Sequence, residues 1–373
     1  MHEFYMKKAI ELALKGEGHT APNPNVGCVI VKDGQIIAQG YHQQYGGLHA
    51  EKEALKNIPL HKTQGATAYV TLEPCCHHGK QPPCVDALIE AQITHVVFPF
   101  CDMNKKVYGQ SLQKLCDAGI GVTLGVCVEE CFDIITDFAT HQLTSRPYVR
   151  AKWAMSADGK IATHNHDSRW ISNAKSRNIA HQLRHQSQAI LVGANTLRHD
   201  NPKLNTRFDI QTPSHPIPII LLGKNPIDTT AQIFQNPKTM IIAPSDYAHL
   251  LPKNTQHITL DTDHTGYISP THLLNTLGEH KITSLLIEGG GQLLSSFMEQ
   301  DLIDEYHIFI APKLIGGKDA PTAFDGQGFA TMEQSLRLIY QSSQLIDEDI
   351  YLQYISQKFH QWKKEQISCL QVS

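Results

Sequence analysis

Apolar and polar positions alternate in two rhythms along the chain. Met6, Ile10, Ala13 and Leu14 lie on one face of a helix near the N-terminus. Val26–Lys32 and Gln35–Ala38 read as strands flanking Asp33-Gly34, a residue pair that favours a tight hairpin turn. Ala50–Asn57 then reads as a helix, Thr67–Leu72 as a strand, Cys84–Ala91 as a helix and Ile93–Phe98 as a strand. A helix near Ser111–Ala118 and a strand near Val122–Val126 complete this alternation. The pattern breaks around Gln142–Pro147, and Arg146-Pro147 precedes a new strand at Tyr148–Ala154. A domain boundary is placed there, dividing 1–145 from 146–373. In the second part Ala174–Gln186 reads as a helix with Ser172 or Asn173 as its N-cap. Ala189–Val192, Ile217–Leu222, Thr239–Ala243 and Ser284–Ile287 read as apolar strands. A helix at Gln292–Glu299 and strands at Tyr306–Ile310 and Asp349–Tyr354 follow. The tail from about Ser356 is polar and is expected either to be mobile or to add a helix. Strands interleaved with helices predict an α/β architecture in both parts, and no internal repeat is visible.

Composition narrows the function. The 373 residues are 41% hydrophobic and 18% charged, an ordinary globular balance for two or three domains. The formal net charge is −4 and the longest basic runs are pairs such as Lys7-Lys8, so a small-molecule partner is expected rather than nucleic acid. No apolar run approaches the ~18 residues of a membrane span. Glu3, Lys7, Lys8 and Glu11 interrupt any export signal near the start. Nine cysteines, eight of them at or before Cys131, then predict free thiols in a reducing cytoplasm.

One constellation carries chemistry. His49-Ala50-Glu51 opens a predicted helix, Pro74-Cys75 follows a strand, and Pro83-Cys84 opens the next helix. One imidazole and two thiolates suit tetrahedral Zn²⁺ with a position left open. A metal there lowers the pKa of water toward neutrality. A helix N-terminus favours the thiolate of Cys84. Glu51 is placed to take a proton from water and return it to a leaving amine. Zinc nucleobase deaminases use this His-x-Glu and Pro-Cys arrangement with a Cys-x-x-Cys spacing. Here eight residues separate Cys75 from Cys84. With 22 histidines in the chain, a lone His-x-Glu means little; the three pieces in order mean much more. A closed structural zinc site, with Cys76, His77 or His78 as fourth ligand, is the competing reading.

The longer context resembles a known family. Pro22-Asn23-Pro24-Asn25-Val26-Gly27-Cys28-Val29, His49-Ala50-Glu51 and Thr71-Leu72-Glu73-Pro74-Cys75 through to Pro83-Cys84 resemble the bifunctional riboflavin-biosynthesis deaminase–reductases. Ala151 to Ala162, Trp170-Ile171, Val192 to Leu204, Glu288–Gly291 and Ala311–Gly317 are similar to the reductase half of that family. The resemblance implies a cytidine-deaminase-like α/β/α domain followed by a dihydrofolate-reductase-like α/β domain. It implies Zn²⁺-dependent removal of the 2-amino group from a diaminopyrimidinone carrying a ribosylamino 5-phosphate, then NADPH-dependent reduction of the ribosyl group to ribityl. A cytoplasmic homo-oligomer acting on a phosphoribosyl pyrimidine is also implied.

Roles follow by position. On the deaminase side, Asn23, His42, His77, Lys80, Asp102 and Asn104 match positions that hold the pyrimidine and its ribose phosphate. Lys152, Ser168, Arg184, Leu204, Arg207 and Glu288 match the substrate side of the reductase, where Arg184 and Arg207 can each fork onto a phosphate. Ala154, Trp170, Thr196, Asp200, Gly290, Gly291 and Gln292 match the cofactor side. The glycine run joins a strand to a helix, which suits a pyrophosphate or simply a tight turn. Lys152 or Asp200 is a candidate for proton transfer at the reduced centre. The chain departs from the family at Asp102-Met103-Asn104-Lys105-Lys106-Val107-Tyr108-Gly109-Gln110-Ser111. The usual run there is Asp-Pro-Asn-Pro-x-Val-x-Gly-x-Gly, so altered loop rigidity and phosphate grip are expected. Ala157 also replaces the usual Leu, a packing change. Two other readings stand beside this one: an editing deaminase acting on a nucleic-acid base, and a non-enzymatic zinc module joined to a nucleotide-binding domain.

Overall fold

The computed structural model describes residues 1–77, 82–104, 107–207, 212–223, 227–245, 255–264 and 266–371. They form two compact units, Met1–Thr144 with Trp362–Ser373, and Ser145–Gln361.

Unit 1 contains α1 (His2–Ala13), β1 (Gly27–Lys32), β2 (Gln35–Tyr41), α2 (Ala50–Leu55), α3 (Leu60–Thr63), β3 (Thr67–Val70) and α4 (Cys84–Glu90). β4 (His95–Val97), α5 (Gln110–Asp117), β5 (Gly121–Thr123), α6 (Val128–Asp133) and α7 (Thr136–Thr144) follow. Its sheet runs β2-β1-β3-β4-β5, antiparallel at the β1 pairings and parallel from β3 onward. The Asp33-Gly34 turn forms with both residues at positive φ, 51° and 75°, the conformation the hairpin needs. Successive residues of β1 serve opposite faces. Val29 and Val31 pack with Met6, Ala9 and Phe132; Cys28 and Ile30 pack with Ala50, Val85 and Leu115. Helices therefore cover both faces, which is why β1 reads as a continuous apolar run.

Unit 2 begins with β6 (Tyr148–Ser156), α8 (Ala174–Gln186), β7 (Ala189–Gly193), α9 (Ala194–Asp200), β8 (Ile217–Leu221), β9 (Met240–Pro244) and β10 (Gln256–Leu260). It continues through α10 (Pro270–Glu279), β11 (Ser284–Ile287), α11 (Gly291–Met298), β12 (Glu305–Ala311), β13 (Leu338–Ile346) and β14 (Asp349–Ser356). The sheet order is β10-β9-β8-β7-β11-β6-β12-β14-β13, parallel as far as β12 and antiparallel for the last two pairings. Asn173 caps α8, its side chain accepting the Ser176 N–H at 2.9 Å. β7, β11 and β6 are parallel neighbours, so their carboxyl ends share one edge. In open α/β sheets ligands bind at that edge.

The structure departs from the sequence expectation in particular places. The polar tail is a helix, α12 (Gln357–Gln371), and its residues from Trp362 belong to unit 1, although 146–373 was expected as one domain. Trp362 sets its ring against Phe132, while Ile367 and Leu370 enter the same core. Apolar residues spaced along a polar helix gave that docking no visible signal. Strands β10 and β13 and helices α6, α7, α9 and α10 were not anticipated. β10 is polar at three of its five positions and β13 across its middle, Gln341–Gln344, as suits edge strands.

Candidate active sites

In unit 1, local chain geometry converges three donor atoms. His49 is the N-cap of α2, in an extended conformation and with no side-chain cap bond to the helix. Cys84 is the first residue of α4, and its backbone N–H lies 3.0 Å from the Cys75 carbonyl and 3.3 Å from the Cys75 sulfur. His49 Nδ1 stands 3.5 Å from Cys75 Sγ and 3.4 Å from Cys84 Sγ, and the three donor atoms lie within 4.8 Å of one another. Among the described residues no other His, Cys, Asp or Glu joins them. Cys76 instead directs its sulfur at Gln110, and His78 lies outside the described residues. This favours the open site over the closed one.

The chemistry of the donor set fits a divalent cation. The Cys75 thiol is pulled down to about 4 by the Cys84 thiol that donates to it and by His49. Cys84 faces that thiolate, is buried and lies near Glu51, so its own pKa is pushed well above the ordinary value. Protein groups alone sustain one thiolate here; a cation sustains both. Glu51, in the first turn of α2, is only 3% exposed and its carboxylate accepts from the Cys84 thiol. Burial and the Cys75 charge raise its pKa above the ordinary carboxylate value.

The expected pyrimidine-side residues gather beside this set. His42 is buried, with its ring edge-on to His49 at 5.5 Å. Its Nδ1 donates to the Leu48 carbonyl at 2.9 Å, which leaves Nε2 to accept from Asn23 Nδ2 at 3.1 Å. Burial lowers the pKa of His42, so the ring is a neutral link that orients Asn23. His77 Nδ1 is buried without a hydrogen-bond partner among the described residues, an atom that a ligand can satisfy. Asp102 is buried and its pKa is raised to about 7, by burial and by the charges of Glu73 and Cys75. Its Oδ1 accepts the Asn104 N–H at 2.9 Å. Lys80 lies outside the described residues.

The reductase-side residues gather at the shared strand edge of unit 2. Glu288 directly follows β11, and Arg184 on α8 grips it with two bonds, Nε–Oε1 2.7 Å and Nη2–Oε2 2.9 Å. Lys152 on β6 lies 3.8 Å from the same carboxylate. Burial works to raise the Glu288 pKa, but Arg184 and Lys152 outweigh it and hold the group at about 2. Arg207 is exposed but close enough to Arg184 to depress its own pKa, after the effect of partial burial. Three cations therefore surround one carboxylate, an excess that suits a doubly charged anion.

The remaining expected positions divide. Leu204 has a left-handed backbone (φ 51°), and its side chain is buried with Leu183 and Leu197, so a ligand can meet only its main chain. Ala154 on β6 sits beside Phe309 of β12. Thr196 and Asp200, one turn apart on α9, are both half-buried, and Ser168 lies half-buried in the loop between β6 and α8. Trp170 is 62% exposed, not a core residue; it carries the Arg177 guanidinium 4.4 Å from its ring and lines an open cavity of about 550 Å³. A side chain at Gly290 would meet nothing within 4 Å, so the N-terminus of α11 is open there. At Gly291 a Cβ would lie 2.5 Å from Asp325 Oδ2 and 2.6 Å from the Thr322 carbonyl, so that glycine serves packing. Gln292 is exposed in the first helical turn. Bare backbone at Gly290 fits the diphosphate of a dinucleotide.

Comparison with known proteins now adds identity to geometry. The profile of the cytidine and deoxycytidylate deaminase zinc-binding region matches residues 1–100, and that of the RibD C-terminal domain matches residues 147–352. The riboflavin biosynthesis protein RibD of Actinobacillus pleuropneumoniae is 43% identical over 360 residues, covering 94% of each chain. The chain belongs to the RibD family. The crystal structure of Acinetobacter baumannii RibD (form 2) superposes with a TM-score of 0.86 at 37% identity, covering 95% of this chain and 98% of that one. A Thermotoga maritima diaminohydroxyphosphoribosylaminopyrimidine deaminase/5-amino-6-(5-phosphoribosylamino)uracil reductase superposes at 0.85 with 35% identity, over 95% and 98% of the two chains. As a RibD, the protein is a bifunctional deaminase and reductase of riboflavin biosynthesis, with a zinc-binding deaminase domain and an NADPH-using reductase domain.

Two residues of these sites escaped the sequence reading. Glu73, in Thr-Leu-Glu-Pro-Cys, is buried, and its carboxylate accepts the N–H groups of Asp102 (2.8 Å), Gly109 (3.1 Å) and Ser111 (3.1 Å). It therefore holds both ends of the altered loop, and nothing but its burial between apolar residues and a metal ligand hinted at this. Glu73→Gln should retain zinc, raise KM for deamination about tenfold, and destabilise unit 1 by about 2 kcal/mol, since buried N–H groups lose an ionic acceptor. Metal analysis, steady-state kinetics and thermal unfolding check the three parts. The second residue, His181, lies one helical turn before Arg184.

Proposed function

We propose that unit 1 hydrolyses the 2-amino group from a diaminopyrimidinone bearing a ribosylamino 5-phosphate, and that unit 2 reduces the ribosyl group of the product with NADPH. The observation that carries the deaminase reading is the trio His49, Cys75 and Cys84, which leaves a tetrahedral cation one position short, with buried Glu51 beside it. Zinc bound there supplies an acidified water. Glu51 removes the proton and delivers it to the departing amine. Asn23, oriented by His42, offers its amide to the base edge, and Asp102 and Asn104 line the adjacent loop. His77 and Lys80 complete the expected phosphate side. In unit 2, NADPH supplies hydride. Arg184 and Arg207 hold the substrate phosphate, while Glu288 keeps Arg184 in place and neutralises part of its charge. Gly290, Thr196 and Trp170 form the cofactor side, with Ala154, Asp200, Gln292 and the main chain of Gly291 around them. Lys152, buried with a lowered pKa, is the group suited to move a proton at the reduced carbon, and Ser168 and the Leu204 main chain lie on its substrate side.

Cytoplasmic residence and homo-oligomer formation belong to the same reading. No disulfide joins the nine cysteines, which supports a reducing compartment. Among the described residues no helix is long and apolar enough to cross a membrane.

The test supplies the diaminopyrimidinone phosphate with and without NADPH and follows ammonia and NADPH together. Ammonia should appear in both cases, and NADPH oxidation should require deamination first. Prior removal of zinc with a chelator should stop ammonia release but leave NADPH oxidation intact with substrate that is already deaminated. NADPH oxidation without ammonia when the diaminopyrimidinone phosphate is the substrate, or ammonia release from the zinc-free protein, would contradict the scheme.

A further inference from the structure

His181 belongs to none of the assigned positions, yet it lies inside the cation cluster of unit 2. It shares a face of α8 with Arg184, three residues on. Its Nδ1 accepts the backbone N–H of Arg207 at 3.2 Å. Arg184 holds the same segment two residues earlier, with Nη1 3.1 Å from the Asn205 carbonyl. Thr206, between them, donates its N–H to His215 Nδ1 at 3.3 Å and its hydroxyl to the Ser214 carbonyl at 2.7 Å. The segment carrying Arg207 is thus fastened to α8 through one carbonyl and one N–H.

We infer that His181 is a positioning residue of the reductase site, fixing the main chain at Arg207 so that this guanidinium and that of Arg184 meet on one doubly charged anionic group of the substrate. The inference rests on the reading of this cluster as the phosphate side of the reductase. An imidazole can accept at Nδ1 only while neutral, with its proton on Nε2. The surroundings keep it neutral: burial lowers its pKa to about 4, and the charges of Arg184, Arg207 and Lys152 add to this against the opposing charge of Glu288. A cationic side chain at this position would lose the bond to Arg207 and add a fourth positive charge. A shape-matched apolar one would leave the Arg207 N–H without its acceptor. Either way the guanidinium moves relative to its partner, and misplacement of a binding group by about 1 Å can cost a hundredfold.

The test uses the full-length enzyme with deaminated phosphoribosyl substrate and NADPH, comparing His181→Phe, His181→Asn, Arg207→Met and the double variant His181→Phe/Arg207→Met. Asparagine keeps an acceptor near the place of Nδ1; phenylalanine keeps the shape alone. His181→Phe should raise KM for the phosphorylated substrate about tenfold, with kcat, KM for NADPH and deaminase activity near their original values. His181→Asn should regain most of the loss. Arg207→Met should raise the same KM, and adding His181→Phe to it should do little more, because the two act as one unit. Additive effects in the double variant, or equal impairment by asparagine and phenylalanine, would overturn the positioning role. So would an unchanged KM in His181→Phe where Arg207→Met is impaired. An unchanged KM in Arg207→Met would overturn the phosphate reading itself, and the inference with it.

Discussion

Glu51→Gln should lower deamination about a thousandfold, the scale of a lost general acid–base group. The substitution is nearly isosteric, and the residue is buried in the first turn of α2, so the fold and the trio of His49, Cys75 and Cys84 should persist. Zinc content should therefore stay at its original level. NADPH oxidation with already deaminated substrate should also be unchanged, because that chemistry belongs to unit 2. A carboxamide accepts hydrogen bonds but takes up no proton near neutrality, so the rate falls for want of a shuttle rather than of a metal. Ammonia release, elemental analysis and NADPH oxidation measured on one preparation separate these contributions. Full deamination by this variant would remove Glu51 from the mechanism.

Glu288→Gln should produce the largest effect in unit 2. Glu288 is 11% exposed in its side chain and compensates Arg184 and Lys152, which are nearly as buried. Removing one partner of a buried ion cluster leaves unpaired charge and costs roughly 3–5 kcal/mol. For a domain of this size that corresponds to a fall of about 10 °C in the unfolding midpoint of unit 2. Reduction should fall with it, since Arg184 loses both bonds that aim it. The pH dependence has a definite sign. The folded pKa of about 2 lies below the ordinary carboxylate value, so the Glu288 contribution is complete above about pH 4.5 and is lost as pH falls toward 2. The stability gap between the original protein and the variant should hold from neutrality down to about pH 4.5 and narrow below it. Calorimetry over that range checks this, and a gap independent of pH would assign the effect to packing.

The trio of His49, Cys75 and Cys84 could be singled out in the sequence because each member carries its own local mark, although His49 lies 26 and 35 residues from the two cysteines. His49 and Cys84 each stand at a helix start and Cys75 follows a strand, so residue type and element boundary carry the same message. The inner parallel strands of unit 2 were legible as apolar runs because both of their faces are covered. What escaped carries no such mark and is recognised only by its distant partners. Glu73 finds its donors 29, 36 and 38 residues on, and His181 meets Arg207 26 residues on. Sequence periodicity has no means of recording such pairings. Leu204 and Gly291 mark a different limit: the family resemblance suggested ligand contact, and burial of the leucine and the closeness of Asp325 to the glycine leave that role to the main chain of each.

The Glu73 carboxylate bears on how this enzyme can diverge. Its donors are main-chain N–H groups, which any residue except proline possesses. The prolines usual in the family stand at positions 103 and 105, whereas the three N–H groups given to Glu73 come from positions 102, 109 and 111. The change to Met103 thus leaves these three bonds in place, while Lys105 lies outside the described residues. Side chains along this wall of the deaminase site can drift freely while the backbone stays moored beside Cys75. Substrate preference in this half of the enzyme is therefore open to change by single substitutions, without a new solution to loop closure each time.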